Sequence, residues 1–163
     1  MARATPEPAE AFKTALRRLA ASVAVITAGR GEAAVGMTAT AVTSVSMDPP
    51  SLLVCVNRAA TLHASVARTG RFRVTYLRSD QDAVARGFGG GRPQHERFTA
   101  HGWSLDEEGG PGLDSALASC VCALEDAVDF GTHTVFIGRV VRVEAGEGRP
   151  LLYCDGGYGE LAA

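Results

Sequence analysis

From Gly36 to Pro50 the chain reads Gly-Met-Thr-Ala-Thr-Ala-Val-Thr-Ser-Val-Ser-Met-Asp-Pro-Pro. Small and hydroxyl side chains stand here where a buried strand would carry large apolar ones. Thr38, Ala39, Thr40, Ala41 and Ser44 leave room beside the backbone and supply short hydrogen-bonding groups. That surface suits a flat, polar-edged ligand lying against a sheet. It serves equally as a half-buried strand whose hydroxyls satisfy solvent or neighbouring backbone. Further on, Asn57-Arg58-Ala59-Ala60-Thr61 leaves an apolar run containing Cys55 and Val56 and enters a helical stretch. Free N–H groups at a helix start form an anion site, and Arg58 can add a charge-assisted hydrogen bond to a phosphate. The plainer use of the same residues is capping by Thr61 beside a surface arginine.

Four more positions draw attention. Arg97 and Phe98 lie in a Gly-rich stretch, where the aromatic could fold over a bound ring or tuck into the core. His133 sits between two threonines at a hairpin, and Tyr158 stands between Gly157 and Gly159 near the C-terminus. Either can meet a ligand or be merely structural. No nucleophilic triad can be assembled. Gly29-Arg30-Gly31 does not extend to a dinucleotide fingerprint, since Ala34 stands where the third glycine belongs, and no P-loop occurs. Cys55, Cys120, Cys122 and Cys154 lack zinc spacing and read as thiols acting as small hydrophobes.

The elements that must position these residues follow from periodicity. Phe12, Ala15, Leu16, Leu19 and Ala20 form a helical stripe, and Ser22–Ala28 is a β-branched strand. A second strand runs from Ala33 through the Thr/Ala/Ser segment to Asp48, where two prolines end it. Residues 51–57 read as a strand buried on both faces, residues 61–68 as a helix with Thr61 as N-cap. A strand over 71–77 and a helix over 80–88 come next. Residues 89–112 hold seven glycines and two prolines, a loop long enough to be either functional or disordered. Two long strands, 117–130 and 134–145, flank a hairpin, and 151–154 is a last short strand. Without regular βαβ alternation, this order predicts a mainly β fold with short helices, an antiparallel barrel.

The 163 residues make one domain over 11–163, with residues 1–10 as a disordered tail. With 46% hydrophobic and 21% charged residues, net charge −2 and pI near 6.1, nothing favours nucleic acid or an anionic membrane surface. No apolar run approaches the about 20 residues of a membrane span. The N-terminus lacks the apolar core of a secretory signal, which with unpaired cysteines predicts a cytoplasmic protein.

Taken in order, VGMTATAVTSVSMDPPSLLVCVNR, FRVTYL, ERF, GTHTVFIGRVVRVE and RPLLYCDGGYG resemble the flavin reductase family, from Phe12 to about Leu161. The resemblance implies an FMN-binding split β-barrel, Greek-key-like and antiparallel. It also implies an NAD(P)H:flavin oxidoreductase that reduces FMN or FAD for a partner monooxygenase, with NADH or NADPH as hydride donor. Thr38, Ala39, Thr40, Ala41 and Ser44 would line the flavin ring. Cys55 through Thr61, including Val56, Asn57, Arg58 and Ala60, would hold the ribityl chain and phosphate. Arg97 and Phe98 would close over the flavin; His133, Gly157 and Tyr158 would position the nicotinamide. A homodimer is implied too. This chain departs from the family's pattern at Thr40-Ala41 (usually Asn-Ser), at Thr132 (usually Asp) and at Ala59-Ala60 (usually a Ser pair). A flavoprotein that retains its flavin for another redox reaction, a non-catalytic binder of flavin or haem, and a purely structural subunit stay open as other uses of the fold.

Overall fold

A computed structural model describes residues 7–105 and 107–162. Its elements are α1 (Pro8–Arg17), β1 (Ala21–Ser22), β2 (Ala24–Ala28), a 3-10 turn (Gly31–Ala33), β3 (Val35–Ala39), β4 (Val42–Met47), β5 (Pro50–Asn57), α2 (Thr61–Thr69) and β6 (Arg71–Tyr76). There follow α3 (Asp82–Phe88), α4 (Gln94–Arg97), β7 (Trp103–Ser104), β8 (Gly112–Leu113), β9 (Ala118–Phe130), β10 (His133–Ala145), β11 (Leu152–Cys154) and β12 (Gly157–Gly159). Residues 1–6 of the expected tail lie outside the described residues, and the helix starts at Pro8, ahead of the Phe12 read from the stripe. Proline suits that first turn, because its missing N–H would have no helical partner there.

Seven strands form one antiparallel sheet in the order β3-β2-β6-β9-β10-β5-β4. The long strand expected from Ala33 to Asp48 is therefore two strands on opposite edges, joined only by Thr40 and Ala41. Three Cα steps reach at most about 11 Å, whereas seven flat strands span about 29 Å. The sheet must therefore curl until its edges approach at this corner, consistent with the split barrel that the resemblance implies. The corner is held by main chain: the Val42 amide turns back to the Thr40 carbonyl at 2.9 Å, and the Ala41 carbonyl accepts from the Cys55 amide at 3.1 Å.

Two apolar clusters fill the structure. Ile26, Val54, Val56, Phe72, Val74 and Phe136 pack with Leu62 and Val66 of α2. Val23, Val25, Leu77 and Leu151 pack with Val84 and Phe88 of α3 and with Phe98. β2 serves both, Ala24 and Ile26 on one face and Val25 on the other, so all five of its residues are buried. β5 departs from expectation: Leu52, Val54 and Val56 are buried, but Leu53 and Cys55 on its second face are only half-buried. That half-open face borders the cleft described below.

Arg73 on β6 is 1% exposed and organises the glycine-rich segment. It donates to the Gly110 carbonyl (3.2 Å) and Ser119 Oγ (3.0 Å) and pairs with Glu107. Gly110 (φ +116) is packed so closely that a Cβ would sit 2.7 Å from the Thr27 carbonyl carbon. The long loop is thus pinned to the barrel at its C-terminal end, and short elements occupy its middle. Cys122 is buried, and that burial, with Cys120 beside it, pushes its thiol up to about 12. Cys154, by contrast, is exposed rather than buried.

Candidate functional site

β3 is a sheet edge, so alternate residues aim their N–H and C=O away from β2. Gly36 shows the direction: its N–H donates to Gln94 Oε1 (2.9 Å) and its carbonyl accepts from Arg97 Nη1 (2.8 Å). By the two-residue period, Thr38 aims its backbone groups the same way. The Thr38 hydroxyl is already committed, donating to the Ala85 carbonyl at 2.6 Å and tying β3 to α3.

Beside this edge lies a cavity of about 320 Å³, lined by Thr38, Ala39, Thr40, Ala41 and Cys55 on one side and Tyr153 and Tyr158 on the other. The alanines leave the space, and the tyrosines supply an aromatic wall. Their centroids lie 5.3 Å apart at 60°, with the Arg86 guanidinium 4.9 Å over the Tyr158 ring. Desolvation raises the Tyr158 phenol above its ordinary range, keeping it a neutral donor. The β11–β12 hairpin pairs Tyr153 with Tyr158 and turns at Asp155-Gly156, whose φ values of 48° and 84° suit a tight two-residue turn.

A second cavity of about 270 Å³ shares Met37, Thr38 and Gly89 with the first and continues to Ala59, Ala60, Thr61, Leu62, Gln94 and Arg97. Here α2 begins. Its N-cap is Ala60 rather than Thr61, in extended conformation and without any side-chain cap. Asn57 shapes the entry: its Oδ1 accepts from the Ala59 amide and its carbonyl from the Ala60 amide, both at 2.9 Å. The Thr61 and Leu62 amides find no acceptor among the described residues, so the positive end of the helix is open to the cavity. Arg97 faces the same space. It donates only to carbonyls, of Gly36, Phe88 and Arg92, and no carboxylate among the described residues pairs with it. Partial burial lowers its pKa from the usual guanidinium value. A half-buried, unpaired cation beside an uncapped helix start is an anion site in search of its counter-charge.

Of the residues picked from sequence, Thr38, Ala39, Thr40, Ala41, Cys55, Ala60, Thr61, Arg97 and Tyr158 meet along this double cavity. Others stand elsewhere. Ser44 is exposed on β4, across from Leu52. Val56 is fully buried, so its side chain belongs to the core. Arg58 turns away from α2 to the β9–β10 hairpin, donating to the Gly131 carbonyl and pairing with Asp129 at 3.6 Å. Phe98 is drawn into the core by edge contacts with Phe88 (5.0 Å) and Trp103 (5.5 Å), and lines neither cavity. His133 is exposed at the start of β10, opposite Asn57 on β5, with Nδ1 2.9 Å from Thr132 Oγ1. Gly157 begins β12 beside the cavity wall. Sequence reasoning missed Tyr153, Arg86 and Gln94; the Asp-Gly turn signal could have pointed to Tyr153 through its cross-strand partner Tyr158.

Residues 16–162 match the flavin reductase like domain. The chain is 45% identical over 150 residues to the reductase component of the FADH(2)-dependent resorcinol hydroxylase of Rhizobium sp. strain MTP-10005, covering 90% of this chain and 84% of that protein. It is 40% identical to the FMN reductase (NADH) RutF of Methylorubrum populi, over 97% and 79% of the two chains. Among solved structures it resembles the NADH:FAD oxidoreductase SgcE6 of Streptomyces globisporus C-1027, with TM-score 0.88, 30% identity and 100% and 99% coverage. It also resembles BorF, the flavin reductase component of a bacterial two-component tryptophan halogenase, with TM-score 0.85, 36% identity and 95% and 99% coverage. With its fold and nearly its whole length in common with these proteins, the chain belongs to the family of flavin reductase like domains.

Proposed function

We propose that this protein is an NAD(P)H:flavin oxidoreductase that reduces FMN or FAD and supplies the reduced flavin to a partner monooxygenase. The observation that carries the reading is the pair of joined cavities, one walled by small residues and tyrosines, the other ending on an uncapped helix and an unpaired arginine. That pairing fits a ring with a phosphorylated tail. The names of the relatives agree, and those that print a nicotinamide print NADH.

In this reading Thr38–Ala41, Cys55 and the tyrosines enclose the ring, while Asn57 shapes the loop that leads the tail toward the Thr61 and Leu62 amides. Arg97 adds the charge that a phosphate needs. When bound, the flavin supplies the two-electron acceptor for a hydride from the nicotinamide. The protein's part is positioning: backbone donors of the β3 edge fix the ring, the apolar walls exclude water, and His133 with Tyr158 and the Gly157 backbone orient the hydride donor. No acid–base pair is required of the chain. Flavin exchange with a partner enzyme suits a cleft bordered by Gly89 and Gly90.

The same reading includes one domain, a homodimer and a cytoplasmic setting; no helix among the described residues is long and apolar enough to cross a membrane. The test is nicotinamide oxidation, followed by loss of its absorbance, with NADH or NADPH against FMN, FAD and riboflavin in turn. Turnover with phosphorylated flavin, and weaker turnover with riboflavin, is the expected result. Absence of turnover with every pair overturns the function.

A further inference from the structure

Arg58, turned away from the anion site, belongs to a continuous clasp between α2 and the β9–β10 hairpin. Asp129 stands at its centre. Its Oδ2 pairs with Arg58 Nη1 at 3.6 Å, and its Oδ1 accepts the Thr134 hydroxyl at 2.5 Å. Thr134 Oγ1 in turn lies 2.8 Å from His63 Nε2. A hydroxyl has one proton, and an ionised carboxylate can only accept it, so the Thr134 proton goes to Asp129. Thr134 must then accept from His63, which fixes the proton of that ring on Nε2. The Phe136 ring packs against the imidazole of His63, with centroids 5.1 Å apart. The entry loop is tied as well, since the Arg58 amide donates to the Thr132 carbonyl at 3.0 Å and its Nη2 to Gly131.

His63 is the third residue of α2, within the same first turn as the open Thr61 and Leu62 amides. Thr134 is 1% exposed, so its link is shielded from water and cannot be replaced cheaply. Charge-assisted bonds from those amides depend on their direction, and nothing at Ala60 fixes that direction through a cap. Arg58 also neutralises Asp129, whose charge would otherwise oppose an anion nearby.

We propose that His63 and Thr134 are positioning residues that aim the first turn of α2 and so set the preference for phosphorylated over unphosphorylated flavin; this rests on the function proposed above. The experiment titrates FMN and riboflavin against the wild-type protein and the variants Thr134→Val, Thr134→Ser, His63→Gln and His63→Phe. Thr134→Val and His63→Phe should weaken FMN at least tenfold while riboflavin stays within twofold. Thr134→Ser and His63→Gln, which keep the donors, should bind FMN nearly as the wild type does. Unchanged FMN affinity in Thr134→Val overturns the proposal, as does a parallel fall for both flavins, the mark of a merely structural role. Should Thr134→Val fail to fold, His63→Phe decides the matter by the same two readings. Wild-type protein that binds FMN and riboflavin equally removes the phosphate site itself, a failure read before any variant is made.

Discussion

His133 presents an exposed imidazole whose Nδ1 is held by Thr132 Oγ1, leaving Nε2 without a partner among the described residues. In place of an orienting carboxylate the chain uses a hydroxyl to steer the ring. If that free nitrogen donates to the nicotinamide, His133→Ala removes one hydrogen bond of about 1 kcal/mol, roughly fivefold in the NADH requirement. Steady-state kinetics should show KM for NADH rising and reduction slowing, with flavin affinity nearly intact; unchanged kinetics would take His133 out of the site. Residue type alone picked out Thr38–Ala41, which line the cavity, because small side chains there leave the main chain open. It leaves two uses open where a long side chain can choose its partner. Arg58 found Asp129, far away in sequence, and Phe98 found Phe88 and Trp103, and neither choice is written in the local pattern.

Among the elements, β10 depends on a glycine that its sequence pattern does not explain. Gly138 is buried where the β9–β10 register shifts, and a Cβ there would sit 2.5 Å from Phe72 Cζ and 2.7 Å from Cys122 Cβ. The bulge and the missing side chain together let the Phe72 ring fill the barrel. Gly138→Ala should therefore overpack the core and cost about 1–3 kcal/mol. Denaturant unfolding measures this, and Phe72→Leu in the same chain should recover part of the loss because the two sites touch. Stability equal to wild type would mean that the strand shifts freely at this point. The longer strands were legible from their β-branched and apolar runs, and the barrel from their order. The corner at Thr40–Ala41 was not, because a run of small β-formers looks continuous until closure demands that its two halves lie on opposite edges. The Asp155-Gly156 hairpin is marked only by its turn residues, because strands of three residues each are too short to show alternation.

The molecule as a whole leaves unusual apolar surface in water. Phe130 is 85% exposed and Met47 86%, with Val128 and Val143 also open on the long strands. Helix α1 carries Phe12 and Leu16 yet buries no residue, and ten residues are too few to hold a helix without a surface to pack on. Its C-terminal end is tied to the β11–β12 turn, by Arg17 to Asp155 at 3.5 Å. A second copy covering these faces answers both facts, and it accords with the homodimer proposed above. Burying one phenylalanine contributes about 1.5–3 kcal/mol, and each 1.4 kcal/mol is about tenfold in dissociation constant. Phe12→Asp and Phe130→Asp should each weaken self-association at least tenfold, read by sedimentation equilibrium, with Phe12→Asp leaving the unfolding midpoint of the isolated chain almost unmoved because α1 buries no side chain among the described residues. A wild-type protein that sediments as a monomer at micromolar concentration would leave α1 without a reason to be helical, and the exposed faces would then need a different occupant.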